Sequence, residues 1–472
     1  MNVTTRITPP VLEAVFAAQR ATALRLRIST AAERIATLKR LEAAVLKHKP
    51  EIYRALAADL RKSEVEADLS ELMPVISELH HNIRHLAGWM RTKRVMPTMA
   101  MLGTKARIRY EPKGVCLIIS PWNYPINLTL CPLVSAIAAG NTAIVKPSEL
   151  SPACSSVLGS IIADVFETDE VALFEGDASV STALLALPFD HIFFTGSPAI
   201  GKVVMGAAAK NLSSVTLELG GKSPVIVDAS ANVVKAAQSV MWGKLINAGQ
   251  TCIAPDYVYV HEKIKAEFLA AAGAAVTHMY GVDVAKSENY CRIINERHFA
   301  RVERLLDGAV ADGARIAFGG GRDGVQKFIA PTVLTGVSAS SAVMQEEIFG
   351  PVLPVMTYSY PGAVIGAINA GQKPLALYVY AKDQGIIERV LSETASGGAC
   401  VNMSMMHYAH NHLPFGGVNN SGMGAAHGIF GFREFSHQRA VLSDQMSVIP
   451  MLFPPYTAKV KRLVALTLRF FV

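Results

Sequence analysis

The 472-residue sequence has no Cys-x-x-Cys pair, and its six cysteines, at 116, 131, 154, 252, 291 and 400, show no close paired spacing. That argues against a disulfide framework and a zinc knuckle, and reduced thiols in a cytoplasmic protein are the simpler account. No set of histidines and carboxylates has ligand spacing either, so no metal is expected. The opening "MNVTTRITPP" lacks a basic segment followed by an apolar core, so no secretory signal is expected. The closing "LVALTLRFFV" is interrupted by Arg469 and falls well short of the roughly 20 apolar residues that span a bilayer. With no polybasic amphipathic helix evident beside it, this tail is expected to pack on a partner, and "KVKR" at 459–462 to form a solvated turn. Charge of one sign is also scarce: a net +7 spread along the chain attracts anions without implying nucleic acid.

What is present suits a soluble globular protein with many tight turns. The chain is 51% hydrophobic and 18% charged, with 35 glycines, and exceeds the roughly 250 to 300 residues at which one core stops growing. Apolar residues recur at helical spacing over 11–90, with Pro50 at a break or new first turn. Alternation around 106–110 and the apolar run 115–120 then change the period to that of strands. "NTAIVKP", "EVALFEG" and "DHIFFTG" continue a strand–helix rhythm, and "SPVIVDAS", "PDYVYVHEK" and "LALYVYAKD" open a second series. Two open α/β units meeting near 219–221 follow, and the strand candidates after Ser436 are expected to leave the body as an arm.

Several segments carry polar residues where strands end. In "FFTGSPAIGKVV", Gly196 and Gly201 flank Ser197 at a strand-to-helix turn suited to an anion, although the spacing is not GxGxxG. "AIVKPSEL" adds Lys146, Ser148 and Glu149, able to meet an anionic or hydroxyl-rich ligand. "TLELGGKSP" places Glu218 at a turn between the two units, as surface charge, structural acceptor or base. "NAGQTCIAPDYV" sets Cys252 in a segment too polar for a core, which leaves it either an inert thiol or a nucleophile. A Cys/His hydrolase pairing Cys252 with His81 or His412 is an alternative that no spacing selects.

Read together, "SPWNYP", "KPSEL", "FTGS", "TLELGGKSP", "NAGQTCIAPDY", "EEIFGPVLPV" and "LPFGGVNNSGMG" resemble the NAD(P)-dependent aldehyde dehydrogenase superfamily. The pattern is similar to its class 3 and coniferyl aldehyde dehydrogenase branch. That resemblance implies a nucleotide-binding and a catalytic α/β domain with a small β oligomerisation arm. Residues 1–220 would hold the N-terminal helices and nucleotide-binding domain, with 103–113 in the arm; 221–410 would be mainly catalytic, and 411–472 a return segment and C-terminal arm. It makes Cys252 the nucleophile, Glu218 the general base and Asn123 an oxyanion donor. Trp122, Lys146, Ser148, Glu149, Gly196, Ser197, Gly201, Leu219, Glu347 and Phe349 would bind NAD, and NADP also in some relatives. Tyr124, Met405, Met406, Tyr408 and Leu413 would line a funnel for an aromatic or medium-chain aldehyde such as coniferyl aldehyde, oxidised to its acid through a thiohemiacetal and a thioester. A homodimer is implied as well. The non-enzymatic alternative is a dinucleotide-responsive sensor.

Overall fold

The computed structural model describes residues 8–98, 101–447 and 449–470, so the expectations for the first seven residues and the last two lie outside it. The helical periodicity becomes the helices Pro9–Leu26, Ala31–Lys47, Lys49–Leu60 and Met73–Trp89. Local chemistry sets their ends: Thr30 and Glu33 form a capping box at the second, and Pro50 lies in the first turn of the third. Their apolar positions, including Leu38, Leu41, Ile52, Leu56, Leu79 and Leu86, are fully buried against the first sheet.

That sheet orders its strands Gly422–Met423, Ser214–Leu219, His191–Gly196, Val115–Ile119, Thr142–Lys146 and Val171–Leu173, all parallel except the first. The apolar runs are nearly continuous because both faces are covered. Cys116 and Ile118 point into the core under the helices from Ala31 to Trp89, while Val115, Leu117 and Ile119 pack with Leu12 and Phe16 of Pro9–Leu26 on the other side. Val115–Ile119 comes first in sequence yet lies centrally; later strands add to both sides of it. The loops after Ile119 and Gly196 therefore diverge and leave a crevice at the carboxyl ends.

The second sheet orders Arg315–Phe318, Thr332–Thr335, Val352–Tyr358, Tyr257–His261, Pro224–Val227, Ala376–Tyr380 and Gly398–Val401. Only Arg315–Phe318 runs antiparallel to its neighbour. The stretch Glu262–Lys286 is long and apolar enough to span a bilayer by composition. Its helix Lys265–Tyr280 instead packs on Val233–Leu245 and puts Phe268, Ala272, Ala275 and Val276 into the second core.

After the second sheet the chain returns. Phe415 joins the second core, Gly422–Met423 pairs with the strand bearing Glu218, and Phe432 and Phe435 enter the first core. Ser436–Asp444 then pairs antiparallel with Thr104–Pro112 along its whole length, and Lys93–Val95 completes a three-stranded arm. The tail differs from the sequence expectation: "KVKR" lies inside the helix Ala458–Phe470 rather than in a turn. Its basic residues 459, 461, 462 and 469 alternate with apolar ones at helical spacing, so the tail does form a short basic amphipathic helix.

Candidate active site

A cavity of about 220 Å³ opens where the carboxyl ends of the first sheet meet the loops that lead into the second sheet's strands, lined among others by Trp122, Asn123, Gly196, Ser197, Glu218 and Cys252. Glu347 and Phe349 close it from the second unit. Of the six cysteines, Cys252 alone is partly exposed.

Cys252 sits at the end of an unusual loop. Asn247, Ala248 and Gly249 are all left-handed, with φ of 53°, 52° and 78°. Each such non-glycine residue stores on the order of 1–3 kcal/mol, retained only where the surroundings over-determine it. Here they do. Asn247 Nδ2 donates to the carbonyls of Asn123 (2.7 Å) and Gln250 (3.2 Å), and Asn247 N–H donates to Glu66 Oε1 at 2.8 Å. Gln250 Nε2 donates to Arg292 O and its Oε1 accepts from Ile294 N–H. Gly249 combines positive φ with a close approach, since a Cβ there would stand 2.4 Å from Gly350 O. Gly249→Ala should cost more than about 2 kcal/mol and lower Tm in thermal unfolding.

Burial, then the nearby Glu347 and Glu218, push the Cys252 thiol well above its usual range, while the backbone N–H groups of Cys252 and Ile253 act the other way. The same burial pushes Glu218 and Glu347 up to about 8. Both carboxyl groups are therefore largely neutral at pH 7, which weakens their repulsion of a thiolate; desolvation remains. Thr195 Oγ1 donates to Glu218 Oε2 at 3.2 Å, and Glu218 Oε1 is buried without a partner among the described residues. Asn123 Nδ2 spends one hydrogen on Gln250 O at 3.0 Å and keeps a second to donate.

Glu347 and Phe349 are held by groups that the sequence reading did not single out. Arg301 donates to Glu347 O at 3.0 Å and Ile348 O at 2.6 Å, and Asp256 Oδ1 accepts from Ile348 N–H at 3.0 Å. Lys222 pairs with Asp256 and donates to Glu346 O at 2.7 Å. Arg301 and His298 share the helix Glu296–Ala311, whose cap Asn295 accepts from His298 N–H. The helix periodicity of this segment was legible; only the fold brings it to the cavity.

These features fit a nicotinamide dinucleotide. Gly220 leaves room for Glu347, whose Oε2 would lie 2.2 Å from a Cβ there, and Trp122, Leu128 and Phe349 offer apolar walls. Ser197, which lines the cavity, caps the helix Pro198–Ala209 by accepting the Ile200 N–H, so that helix starts at the cavity wall.

The aldehyde dehydrogenase family model matches residues 4–441. The chain belongs to the aldehyde dehydrogenase family. It is 42% identical over 425 residues to the 4,4'-diaponeurosporen-aldehyde dehydrogenase of Staphylococcus aureus, covering 90% of this chain and 92% of that one. It is 43% identical over 425 residues to aldehyde dehydrogenase family 3 member A2 of Mus musculus, covering 89% and 87%. Among solved structures, a Staphylococcus aureus AldH in its substrate-bound state superposes with a TM-score of 0.93 at 40% identity, covering 96% and 99%. The protein is thus an NAD(P)-dependent aldehyde dehydrogenase close to the class 3 branch, with the α/β architecture and β arm expected.

Not every expected residue reaches this dehydrogenase's cavity. Lys146, Ser148 and Glu149 stand beyond it at the end of Thr142–Lys146, where Lys146 Nζ donates to Glu149 Oε2 at 3.0 Å and Ser148 Oγ accepts from Leu150 N–H. Gly201 is buried inside its helix against Leu219, which does line the cavity. Its role is close packing, because a Cβ would meet the Leu219 side chain at 2.7 Å. Tyr124, Met405, Met406, Tyr408 and Leu413 do not line the cavity either. Tyr124 is buried with its hydroxyl on Thr251, Tyr408 donates to Asn127 Oδ1, Met405 packs on the second core, and Met406 and Leu413 are exposed. His81 and His412 share a separate cavity with His80, His85 and His410. The histidine that shares the cavity with Cys252 is His298, whose ring is tilted against Trp122 at 4.9 Å between centroids and whose pKa burial lowers to about 4.

Proposed function

We propose that Cys252 is the nucleophile, Glu218 the general base and Asn123 the oxyanion donor for oxidation of an apolar aldehyde, aromatic or medium-chain, to its carboxylic acid. The observation that carries this is that the one partly exposed cysteine, a carboxyl group with an open oxygen and an amide with a spare hydrogen share one cavity. Cys252 rests as a thiol and loses its proton as sulfur attacks the carbonyl carbon, with Glu218 the acceptor in the same cavity. Negative charge then develops on the former carbonyl oxygen, where Asn123 Nδ2 and the Cys252 backbone N–H donate without carrying charge themselves. When bound, the nicotinamide supplies the hydride acceptor; Glu347 and Phe349 would hold it, with Gly196, Ser197, Leu219 and Trp122 along its path. Hydride loss leaves an acyl thioester on Cys252. Glu218, after releasing the thiol's proton to solvent, deprotonates a water at its open Oε1, and attack on the thioester carbon releases the acid as Glu218 returns the water's proton to the leaving sulfur.

Asn123→Ala should lower kcat by about 10²- to 10³-fold while leaving KM for the cofactor nearly unchanged, read in steady-state kinetics. The substrate class is supported by the apolar walls that Trp122, Leu128 and Phe349 give the cavity. The Staphylococcus aureus relative is named for an aldehyde substrate as well. Glu149 would accept from a ribose hydroxyl and repel a 2′-phosphate, so NAD should be preferred to NADP. Purified protein supplied with benzaldehyde, coniferaldehyde, hexanal or decanal and either cofactor tests this by the appearance of reduced cofactor. Absence of turnover with every pair would overturn the assignment.

A further inference from the structure

Behind the loop bearing Cys252 lies a buried charged group that the proposed chemistry does not use. Lys62 and Glu71 form an ion pair of 2.7 Å with both side chains fully buried. Glu66 stands near enough that its carboxylate, with that of Glu71, favours the charged form of Lys62 against the cost of burial. All three come from the N-terminal segment, around a π-helical turn at Asp68–Leu72.

Each of the three reaches a different part of the site's frame. Glu66 Oε1 accepts the Asn247 N–H at 2.8 Å and the Cys291 Sγ at 3.3 Å. Glu71 Oε2 accepts the Asn127 N–H at 2.9 Å, at the start of the helix that follows Asn123. Lys62 Nζ stands 4.3 Å from the centre of the Tyr124 ring, and the Tyr124 hydroxyl bonds Thr251 Oγ1, next to Cys252, at 2.6 Å.

The left-handed pair Asn247 and Ala248 needs outside support, and Glu66 holds the first peptide N–H of that turn. Asn247 in turn holds Asn123 O and Gln250 O through its side chain, so its position sets the spacing between oxyanion donor and sulfur. We propose that Glu66 is a positioning residue: its acceptor oxygen fixes the strained turn at Asn247 and thereby the alignment of Asn123 with Cys252. This rests on the catalytic roles proposed above for Cys252 and Asn123.

Two near-isosteric variants separate positioning from mere filling of space. Glu66→Gln retains an acceptor oxygen, whereas Glu66→Met retains the volume without one. Glu66→Met should lower kcat at least tenfold, with KM for NAD and for aldehyde within about threefold of wild type, and should slow alkylation of Cys252 by iodoacetamide several-fold, measured by peptide mass spectrometry. Glu66→Gln should restore both to within about threefold. If Glu66→Met does not fold, Glu66→Asp takes its place, since it keeps charge for Lys62 but stands one methylene short of Asn247. Equal losses in the Gln and non-acceptor variants, or no loss in either, would overturn the inference. The alkylation arm needs no aldehyde turnover, so a wild-type protein that alkylates but oxidises nothing would sink the functional reading and leave this one testable.

Discussion

Cys252→Ala should abolish aldehyde-dependent reduction of NAD, a fall of about 10⁴-fold or more, because the covalent route has no substitute nucleophile in the cavity. The other five cysteines are buried in the cores and cannot take over. Cofactor affinity should change little, since Cys252 contributes to the cavity wall without supporting Glu347 or the turn at Ser197. Fluorescence titration of the variant with NADH checks that half, and absorbance of reduced cofactor checks the other. Retained turnover in the alanine variant would remove Cys252 from the chemistry outright. A serine variant should be nearly as poor, because the hydroxyl is a far weaker nucleophile in the same desolvated setting.

The second large effect belongs to Glu218. Glu218→Gln removes the only ionisable oxygen that Thr195 orients in the cavity, and thioester hydrolysis should slow by about 10²- to 10⁴-fold. Acylation should slow as well, because Glu218 also accepts the Cys252 proton, so rapid mixing should show a burst of reduced cofactor of less than one equivalent before a slow steady state. The pH dependence follows from burial. With the carboxyl group held up to about 8, its base form is a minority at pH 7 and grows as pH rises through that value. Steady-state turnover of the wild type should therefore climb from pH 7 to 9, and the rise should vanish in the Gln variant. A flat wild-type profile across that range would argue against Glu218 as the base.

Much of this was legible from order along the chain. The strands ending at Ile119, Lys146, Leu173 and Gly196 could be read as apolar runs bounded by turn residues, and the family motifs tied Asn123, Glu218 and Cys252 together. Other parts were not, for reasons of distance. Arg301 and His298 look like ordinary charges on an amphipathic helix, and nothing local says that helix reaches Glu347. Lys62, Glu66 and Glu71 read as a solvated acidic stretch, because burial by a loop nearly two hundred residues away leaves no trace in their own periodicity. The tail was misread for a subtler reason: 459–462 judged as four residues is a charge run, but within Ala458–Phe470 it is one face of a helix.

The short strand Gly422–Met423 has a consequence for how the protein is made. It covers the outer edge of Ser214–Leu219, with Gly422 opposite Glu218 and Leu219 N–H bonded to Ser421 O at 3.0 Å. Until the ribosome has released that distant segment, the first sheet ends in a bare strand whose free N–H and C=O groups invite pairing with another chain. Completion of the sheet thus waits on a long-range contact, which makes assembly slow and its intermediate adhesive. Chains truncated after Val401 should accordingly aggregate, even though both sheets retain all of their parallel strands.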